Sequence, residues 1–386
     1  MKEIVNIGLL GLIFKSGNKG CSALAYSFLK LLKEAAKENN KKVILNIISY
    51  SDDDLSELKD EIVEDVKVTV YHFKSIKSQI DVRKQLKKCD YVFDFTEGDS
   101  FSDIYGIKRL LVNSNLKIAC INSKIPLILG PQTYGPFNKK ISKIIAKKIL
   151  KGAYEVFARD ELSRKYVKEL SERDVESLID VAFVLPYTKN KIASDKLKLG
   201  INISGLLWNN GYTGNNEFNL KVNYKEYCKQ LLEKIGDKYE IHLIPHVICN
   251  DYNNIENDIK ACNELKEVYN ECIVAPSFNT PIEAKSYISN MDIFIGARMH
   301  SDIAAYSSEV AVIPFSYSRK FEGLFNSLNY SYCINGREIS TEEALEKTLE
   351  YINNYKLLQR ETHEGMKIAN SKINKFYKEI YKLFEN

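Results

Sequence analysis

The stretch MDIFIGARMHSDIAAYSSEVAVIPFSYSRKFEGL, residues 291–324, decides the fold of this chain. Its two short apolar runs, 292–296 and 310–315, are typical of buried strands in a parallel sheet. Residues 301–308 between them have the length of a helix, and a second helical pattern begins at Phe321. This β-α-β-α order places both intervening turns at the carboxyl ends of neighbouring strands, the edge where open α/β sheets bind ligands.

The two turns concentrate basic side chains. The first contains Arg298 and His300, and the second contains Arg319 and Lys320. A helix follows each turn, and the first N–H groups of a helix attract negative charge. Histidine titrates at about 6.5, so His300 can give or take a proton at neutral pH. The sequence therefore predicts a site for an anionic substrate.

Strands and helices alternate along the rest of the chain, on both sides of a short polar break at 186–198. Predicted strands lie at 5–10, 43–49, 67–73, 89–95, 126–129, 155–158, 199–204, 240–244 and 271–275, in addition to the two above. Predicted helices include 22–38, 224–235 and 252–268. Two α/β units of similar size, followed by a helical tail, indicate two facing Rossmann-like domains with a cleft between them. We assign residues 1–187 and 188–340 to these domains and 341–386 to the tail, which we expect to pack back on the first domain.

Composition excludes several classes of protein. The chain has 386 residues, 45% of them apolar, and a net charge of +4 that is spread along the sequence. A dedicated nucleic-acid binder would concentrate its basic residues, so no nucleic-acid partner is expected. The eight cysteines are scattered without zinc-ligand spacing, which is typical of reduced thiols in a cytoplasmic protein. No apolar run reaches the roughly 20 residues of a membrane span, and we interpret the run 4–14 as core strand rather than signal peptide.

Polar residues also follow the predicted strands of the first half. Asp99 and Asp103 come directly after the strand 89–95, and Gln132 follows the next strand. These side chains could bind sugar hydroxyls, or one carboxylate could act as a base. Capping of a helix by Asp99 or Ser100 is the alternative interpretation. The glycine-rich loop 8–20 is either a flexible turn or a backbone nest that touches substrate.

Two further residues at strand ends have two interpretations each. Arg159 follows the strand 155–158 and could form a structural pair with Asp160, although we favour a clamp on an anionic ligand. His246 follows a strand and a proline, and the sequence does not decide between a ligand contact and a surface histidine.

The segment KKISKIIAKKILK, residues 139–151, has isoleucines at 141, 144, 145 and 149 along one predicted helix face and lysines on the others. This pattern is compatible with an ordinary surface helix that packs on a sheet. The alternative is a peripheral membrane contact, in which the lysine face rests on anionic lipid headgroups at the inner face of the cell membrane.

Seven short motifs occur in order along almost the whole chain. They are GNKGCSAL, EGDSFSDIYG, LGPQTYGPF, ARDELS, IPH, IGARMHSDIAA and PFSYSRKFEGL. In this combination the chain resembles the polysaccharide pyruvyl transferase family. The resemblance implies transfer of a pyruvyl group from phosphoenolpyruvate to a glycan or lipid-linked sugar as a ketal, with release of phosphate. It also implies a fold similar to the two-domain GT-B glycosyltransferases, with the acceptor on the first domain and the donor on the second.

The resemblance also implies roles for individual residues. By this resemblance, the residues that match the phosphoenolpyruvate site are Arg159, Arg298, His300 and Lys320, to which we add Ser318 of the same turn as Lys320. His300 is expected to act as general acid. The expected acceptor-binding residues are Asp99, Asp103, Gln132 and His246. The scheme requires neither a metal nor another cofactor. The alternatives are a nucleotide-sugar glycosyltransferase on the same architecture and a non-catalytic scaffold in envelope glycan assembly.

Overall fold

The chain divides into two compact units, each of which is described by itself. The computed structural model describes residues 3–49, 66–72, 76–190 and 194–385. The units are composed as follows: the first comprises Met1–Lys15, Leu24–Val181 and Asn370–Asn386, and the second comprises Ser16–Ala23 and Ala182–Ala369. The boundary thus falls between Val181 and Ala182 rather than at 187, and a short segment near the amino terminus belongs to the second unit. Phe73 and residues 191–193, included in a predicted strand and in the predicted break, lie outside the described residues.

A parallel sheet forms the centre of the first unit. Its strands among the described residues are β1 (Ile4–Leu10), β2 (Lys42–Ser49), β3 (Val66–His72), β4 (Tyr91–Asp94), β5 (Leu127–Gln132), β6 (Glu155–Ala158) and β7 (Glu176–Ser177). Their order in the sheet is β3-β2-β1-β4-β5-β6-β7, and all neighbours are parallel. β1 pairs with both β2 and β4, so the chain reverses its direction of progress across the sheet at β1, the kind of switch point where doubly wound sheets bind ligands.

Helices cover both faces of this sheet. They are α1 (Lys19–Glu38), α2 (Ile76–Leu86), α3 (Ile107–Asn122), α4 (Lys140–Gly152) and α5 (Glu161–Ser171). On one face, Phe28 of α1 packs against Phe93 of β4 at a ring distance of 4.8 Å. Phe376, near the carboxyl terminus, contacts Phe28 and Phe157 on this face. On the other face, apolar residues of α3 and α4 bury the strand residues between them, including Leu129 and Val156.

The second unit repeats this plan. Its strands are β8 (Leu197–Asn202), β9 (Tyr239–Leu243), β10 (Ile273–Val274), β11 (Ile293–Gly296), β12 (Ala311–Ser316) and β13 (Ile334–Asn335). They form a parallel sheet in the order β10-β9-β8-β11-β12-β13. Its helices are α6 (Gly205–Trp208), α7 (Tyr224–Ile235), α8 (Asp258–Val268), α9 (Pro281–Ile288), α10 (Met299–Tyr306), α11 (Arg319–Asn326) and α12 (Thr341–Asn353). The terminal helix α13 (Tyr355–Glu385) begins in the second unit and ends in the first.

The predicted fold class is confirmed: the chain has two parallel-sheet α/β domains of GT-B-like architecture and a carboxyl-terminal helix. The predicted cleft between facing domains stays a prediction. The predicted helix 252–268 starts too early, because Asn257 caps α8 by accepting a hydrogen bond from the backbone N–H of Ile259. Among the described residues, no helix has both the length and the apolar character that crossing a bilayer demands.

A buried ion pair links α3 to the end of β4. Nζ of Lys117 lies 2.8 Å from Oδ2 of Asp94, and both side chains are almost fully buried. We expect Lys117→Ala to lower the free energy of unfolding by about 3–5 kcal/mol, because it leaves the Asp94 carboxylate buried without its cation. Urea denaturation measures this loss. Lys108→Ala, which changes an exposed lysine of the same helix, is the control, and an equal effect of both variants would contradict the prediction.

Candidate anion-binding site

The two turns singled out in the sequence lie side by side in the second unit. β11 and β12 are paired in parallel, with Gly296 opposite Pro314. Arg298 is the residue that precedes α10, and Ser318 is the residue that precedes α11. The predicted juxtaposition of the two basic turns at one edge of the sheet is therefore present, because neighbouring parallel strands end at the same edge.

Arg298 is held by a buried carboxylate. Its Nη2 lies 2.8 Å from Oδ1 of Asp258 and donates to the carbonyl oxygen of Glu256 at 2.9 Å. Burial alone would lower the pKa of the Arg298 guanidinium, but the charge and hydrogen bond of Asp258, together with Tyr317 and Glu256, raise that pKa above its ordinary value. The guanidinium is therefore a permanent positive charge with a fixed orientation.

Asp258 also fixes the backbone at the ends of two other strands. Its Oδ1 accepts a hydrogen bond from the N–H of Gly205 at 2.8 Å, just after β8. Its Oδ2 accepts from the N–H groups of His246 at 3.0 Å and Val247 at 2.8 Å, just after β9. One carboxylate thus ties together the segments that follow β8, β9 and β11.

His300 packs against the first turn of α1. A Cβ atom added to Gly20 would lie 2.4 Å from Nδ1 of His300 and 2.6 Å from its Cγ. Such distances are incompatible with a side chain at position 20 unless the imidazole moves. The glycine-rich loop is therefore more than a flexible turn: residue 20, within the segment Ser16–Ala23 of the second unit, defines where the His300 ring can sit.

Lys19 is a further cation of the second unit, and the sequence predicts no role for its side chain. Its side chain is buried, and its Nζ donates to the carbonyl oxygens of Ser16 at 3.1 Å and Asn279 at 3.2 Å. Its backbone N–H donates to the carbonyl oxygen of His246 at 3.1 Å. Burial lowers the pKa of the Lys19 ammonium, and the carboxylate of Glu283 opposes that shift.

His246 is buried among these positive groups. Its Nδ1 has no hydrogen-bond partner among the described residues. Burial lowers the pKa of His246 well below its ordinary value, and the nearby charges of His300, Arg298 and Lys19 lower it further. His246 is therefore neutral at neutral pH. His246 belongs to the second unit, as does His300. The other residues expected to bind the acceptor, Asp99, Asp103 and Gln132, belong to the first unit.

The second basic turn contributes Lys320 and Ser318. The ammonium of Lys320 lies 6.0 Å from the ring centroid of Tyr317, whose hydroxyl acts on the pKa of Arg298. Tyr317 therefore lies close enough to both Lys320 and Arg298 to interact with them electrostatically. Oγ of Ser318 is buried without a hydrogen-bond partner among the described residues, which leaves a hydroxyl able to bind an added group.

Asp99 and Glu97 follow β4 in the first unit. Oδ2 of the half-buried Asp99 accepts a hydrogen bond from the hydroxyl of Tyr105 at 3.3 Å. Oε2 of Glu97 lies 2.6 Å from Nη2 of Arg109. Burial raises the pKa of Glu97, and the charge of Arg109 opposes the shift. Asp99 remains a candidate for acceptor binding.

Asp103 and Gln132 have structural surroundings that do not suit their predicted acceptor role. Both oxygens of Asp103 accept hydrogen bonds from backbone N–H groups of Asn138 and Lys139 at 2.8–2.9 Å, directly before α4. Burial would raise the pKa of Asp103, but these bonds hold it below its ordinary value. Asp103 thus binds the backbone that precedes α4. The side chain of Gln132 is fully buried and donates to the carbonyl oxygen of Asp94.

Arg159 is buried in the first unit and paired with carboxylates. Its Nη1 lies 3.0 Å from Oδ2 of Asp180, and its Nε lies 3.8 Å from Oδ2 of Asp160. This is the structural pairing weighed in the sequence, with Asp180 as the closer partner. Its role in binding phosphoenolpyruvate stays a prediction.

Sequence reasoning missed Asp258, Lys19 and Gly20. Asp258 lies in the stretch NDYNNIEND, where several acidic and amide residues look alike as candidate caps. Lys19 and Gly20 belong to the motif GNKGCSAL and to the glycine-rich loop 8–20, for which the sequence predicts at most a backbone contact with substrate and no side-chain role. Among the described residues there is no group of three or more His, Cys, Asp or Glu side chains that could hold a metal ion.

The comparisons with known proteins agree with the motifs. The family model described as polysaccharide pyruvyl transferase matches residues 18–319. This range includes Lys19 and the turn up to Arg319, and it ends one residue before Lys320. No curated protein matches the chain by sequence.

Solved structures resemble this chain in fold. The UDP-GlcNAc 2-epimerase of Neisseria meningitidis, bound to UDP-GlcNAc, has a TM-score of 0.59 at 11% identity, with 100% of both chains covered. The UDP-GlcNAc 2-epimerase of Methanocaldococcus jannaschii has a TM-score of 0.55 at 12% identity, covering 90% of this chain and 92% of that one. An Anabaena protein in complex with UDP-glucose has a TM-score of 0.53 at 10% identity, covering 96% and 99%. At these identities the likeness shows the fold alone.

Because Gly20 contacts His300, we expect alanine at this helical position to destabilise the protein rather than stabilise it. Replacing glycine by alanine inside a helix ordinarily stabilises it by about 1 kcal/mol. Gly20→Ala should instead destabilise the protein by about 1–3 kcal/mol, because the new methyl group overlaps the imidazole. Thermal unfolding checks the sign. The control is Ser22→Ala, which removes a buried hydroxyl that has no partner among the described residues and should leave the melting temperature nearly unchanged.

The neutral state of His246 predicts how stability changes in acid. Histidine in the unfolded chain has a pKa of about 6.5. Below that pH the unfolded state therefore binds a proton at His246, whereas the folded state leaves His246 unprotonated. The free energy of unfolding should therefore fall below about pH 6.5, by at most about 1.4 kcal/mol per pH unit from this residue. His246→Gln should reduce this slope in denaturation curves between pH 7 and 5. Equal slopes in the unmodified protein and in His246→Gln would contradict the prediction.

Proposed function

The chain belongs to the polysaccharide pyruvyl transferase family, and from this premise we propose that it transfers the pyruvyl group of phosphoenolpyruvate to a sugar of a cell-surface polysaccharide or its precursor, forming a ketal. The observation that carries the proposal is the set of positive groups at the carboxyl edge of the second sheet. Arg298 and Lys19 lie near His246 there, and Lys320 belongs to the neighbouring turn. Phosphoenolpyruvate carries a carboxylate and a phosphate, and two separate anionic groups need several fixed cations.

The donor would be held mainly by the second unit. The fork of Arg298 is suited to a carboxylate or phosphate because its orientation is fixed by Asp258 before any ligand arrives. Lys320 and Ser318 belong to the neighbouring turn. Positioning these groups in advance avoids the cost of ordering them when charge develops on the departing phosphate.

The reaction is an addition followed by a displacement. His300 donates a proton to the methylene carbon, whose double-bond electrons form the new C–H bond of a methyl group. The oxygen of the first sugar hydroxyl bonds to the central carbon. The bond from that carbon to the phosphate oxygen then breaks, and phosphate leaves with the electron pair. The oxygen of the second hydroxyl closes the ketal, and the two hydroxyl protons restore His300 and protonate the phosphate.

Acceptor recognition is assigned to the first unit. Of its candidate residues, Asp99 is half-buried after β4 and has a carboxylate that can accept hydrogen bonds from sugar hydroxyls. Asp103 and Gln132 are engaged by the backbone instead. We therefore retain Asp99 as the acceptor residue and leave the other two out of the proposal.

Two variants should separate donor binding from turnover. His300→Gln should reduce turnover by about 10²–10⁴-fold, because it removes the proton donor, while phosphoenolpyruvate still raises the melting temperature. Lys320→Ala should weaken that thermal shift, since it removes a cation from the donor site. Phosphate release from phosphoenolpyruvate with a pool of acceptor glycans measures turnover, and Arg319→Ala, at the exposed neighbouring position, is the matched control.

The same measurements decide against the proposal if they fail. Stabilisation by UDP-glucose or UDP-GlcNAc, with none by phosphoenolpyruvate, would indicate a nucleotide-sugar enzyme of the kind found among the structural neighbours. Near-normal turnover of His300→Gln would show that another group supplies the proton. Binding of neither donor would favour a non-catalytic scaffold.

A further inference from the structure

Helices α3 and α4 present an exposed apolar surface on the first unit. We name it the isoleucine surface and define it by Ile104, Leu111, Ile141 and Ile144. The exposed fractions are 56% for Ile104, 50% for Ile141 and 56% for Ile144. The sequence pattern predicts that positions 141, 144, 145 and 149 share a core-facing side, and for two of them this is wrong. α4 buries Ser142, Ala146, Ile149 and Leu150 instead.

The chain segments that carry the isoleucine surface lie side by side. The bonds from Asn138 and Lys139 to Asp103 bring Ile104, the next residue, to the start of α4. At the other end of the two helices, a Cβ atom on Gly152 would lie 2.7 Å from the side chain of Ile121. Because both helices follow neighbouring parallel strands, they run in the same direction. Equal rise per residue then places Leu111 and Ile141 at about the same level.

Positive charge surrounds this surface. Neither α3 nor α4 contains an aspartate or glutamate. Exposed lysines on and beside the two helices are Lys108, Lys139, Lys140, Lys143 and Lys148. Two more lysines of α4, Lys147 and Lys151, pair with Glu172 at the end of α5. The two helices therefore combine exposed isoleucines with lysines and contain no acidic residue. This combination suits a membrane, in which an apolar layer lies beneath negatively charged headgroups.

We propose that the isoleucine surface binds an anionic lipid bilayer. Lysines alone would suit any polyanion, but a soluble polyanion would leave the isoleucines in water. Insertion of the isoleucines below the headgroups removes their apolar area from water, while the lysines remain at the level of the phosphates. Apolar and charged contributions then act together, as in other interfacial helices.

The position of the surface has a consequence for the substrate. Ile104 and Tyr105 follow Asp99 in the same loop after β4, and Tyr105 donates its hydroxyl hydrogen to Asp99. A lipid-bound chain would hold the proposed acceptor residue close to the headgroups, where a lipid-linked sugar is available. This consequence rests on the proposed function, whereas lipid binding does not.

Vesicle co-sedimentation of the full chain tests the proposal. The protein should bind vesicles containing phosphatidylglycerol and bind pure phosphatidylcholine vesicles at least about tenfold more weakly. The double variant Ile141→Ser/Ile144→Ser should lose about tenfold or more in binding to the anionic vesicles. The triple variant Lys140→Gln/Lys143→Gln/Lys148→Gln should lose at least as much and become less sensitive to salt. Val268→Ser, an equally exposed apolar site of the second unit, is the matched control and should bind normally.

Several outcomes would overturn lipid binding. Failure of the unmodified chain to bind anionic vesicles is one. Normal binding by the isoleucine variant, with loss only in the lysine variant and equal affinity for dextran sulfate, would indicate a soluble polyanion instead. Far-UV circular dichroism and melting temperature verify that the variants are folded. Vesicle binding needs no phosphoenolpyruvate, so its failure is distinguishable from failure of the proposed function.

Discussion

The ion pair between Asp258 and Arg298 is the constraint on which the candidate site depends. Asp258 is fully buried and accepts hydrogen bonds from the guanidinium and from the backbone at the ends of two other strands. Separating such a pair would leave a charge in the interior at a cost of about 3–5 kcal/mol. The geometry of three strand ends is therefore coupled to the orientation of one arginine, which cannot turn away when the site is empty.

His246, Lys19 and His300 of the second unit have different surroundings. His246 is buried and surrounded by positive groups, so it stays neutral. Burial lowers the pKa of the Lys19 ammonium, and the negative charge of Glu283 opposes this shift. The ammonium also donates hydrogen bonds to two carbonyl oxygens. His300 is only partly buried and packs against the bare backbone of Gly20. Under the proposed function, Arg298 is the fixed cation that binds the donor, and His300 is the histidine that transfers the proton.

Residues at the corresponding edge of the first sheet show how position and role can differ. Asp99 and Asp103 follow β4, and Gln132 is the last residue of β5. Asp103 nevertheless binds the backbone before α4, and Gln132 turns into the interior toward Asp94. Arg159 likewise finds Asp180, which lies 21 positions away in sequence. Buried backbone N–H groups and buried carboxylates need hydrogen-bond or ionic partners. The local sequence does not show whether a polar side chain at a strand end binds such a group or a substrate.

The sequence by itself determined the class of fold, the alternation of strands and helices, and the two basic turns after β11 and β12. These follow from apolar periodicity and from the rule that parallel strands end at one edge, both of which are local or nearly local. Only the tertiary structure decided that residues 16–23 join the second unit, that Asp258 secures Arg298, and that Ile141 and Ile144 face outward. Each of these depends on contacts between segments distant in the chain, or on which helix face a neighbouring element already covers, and no local pattern encodes either.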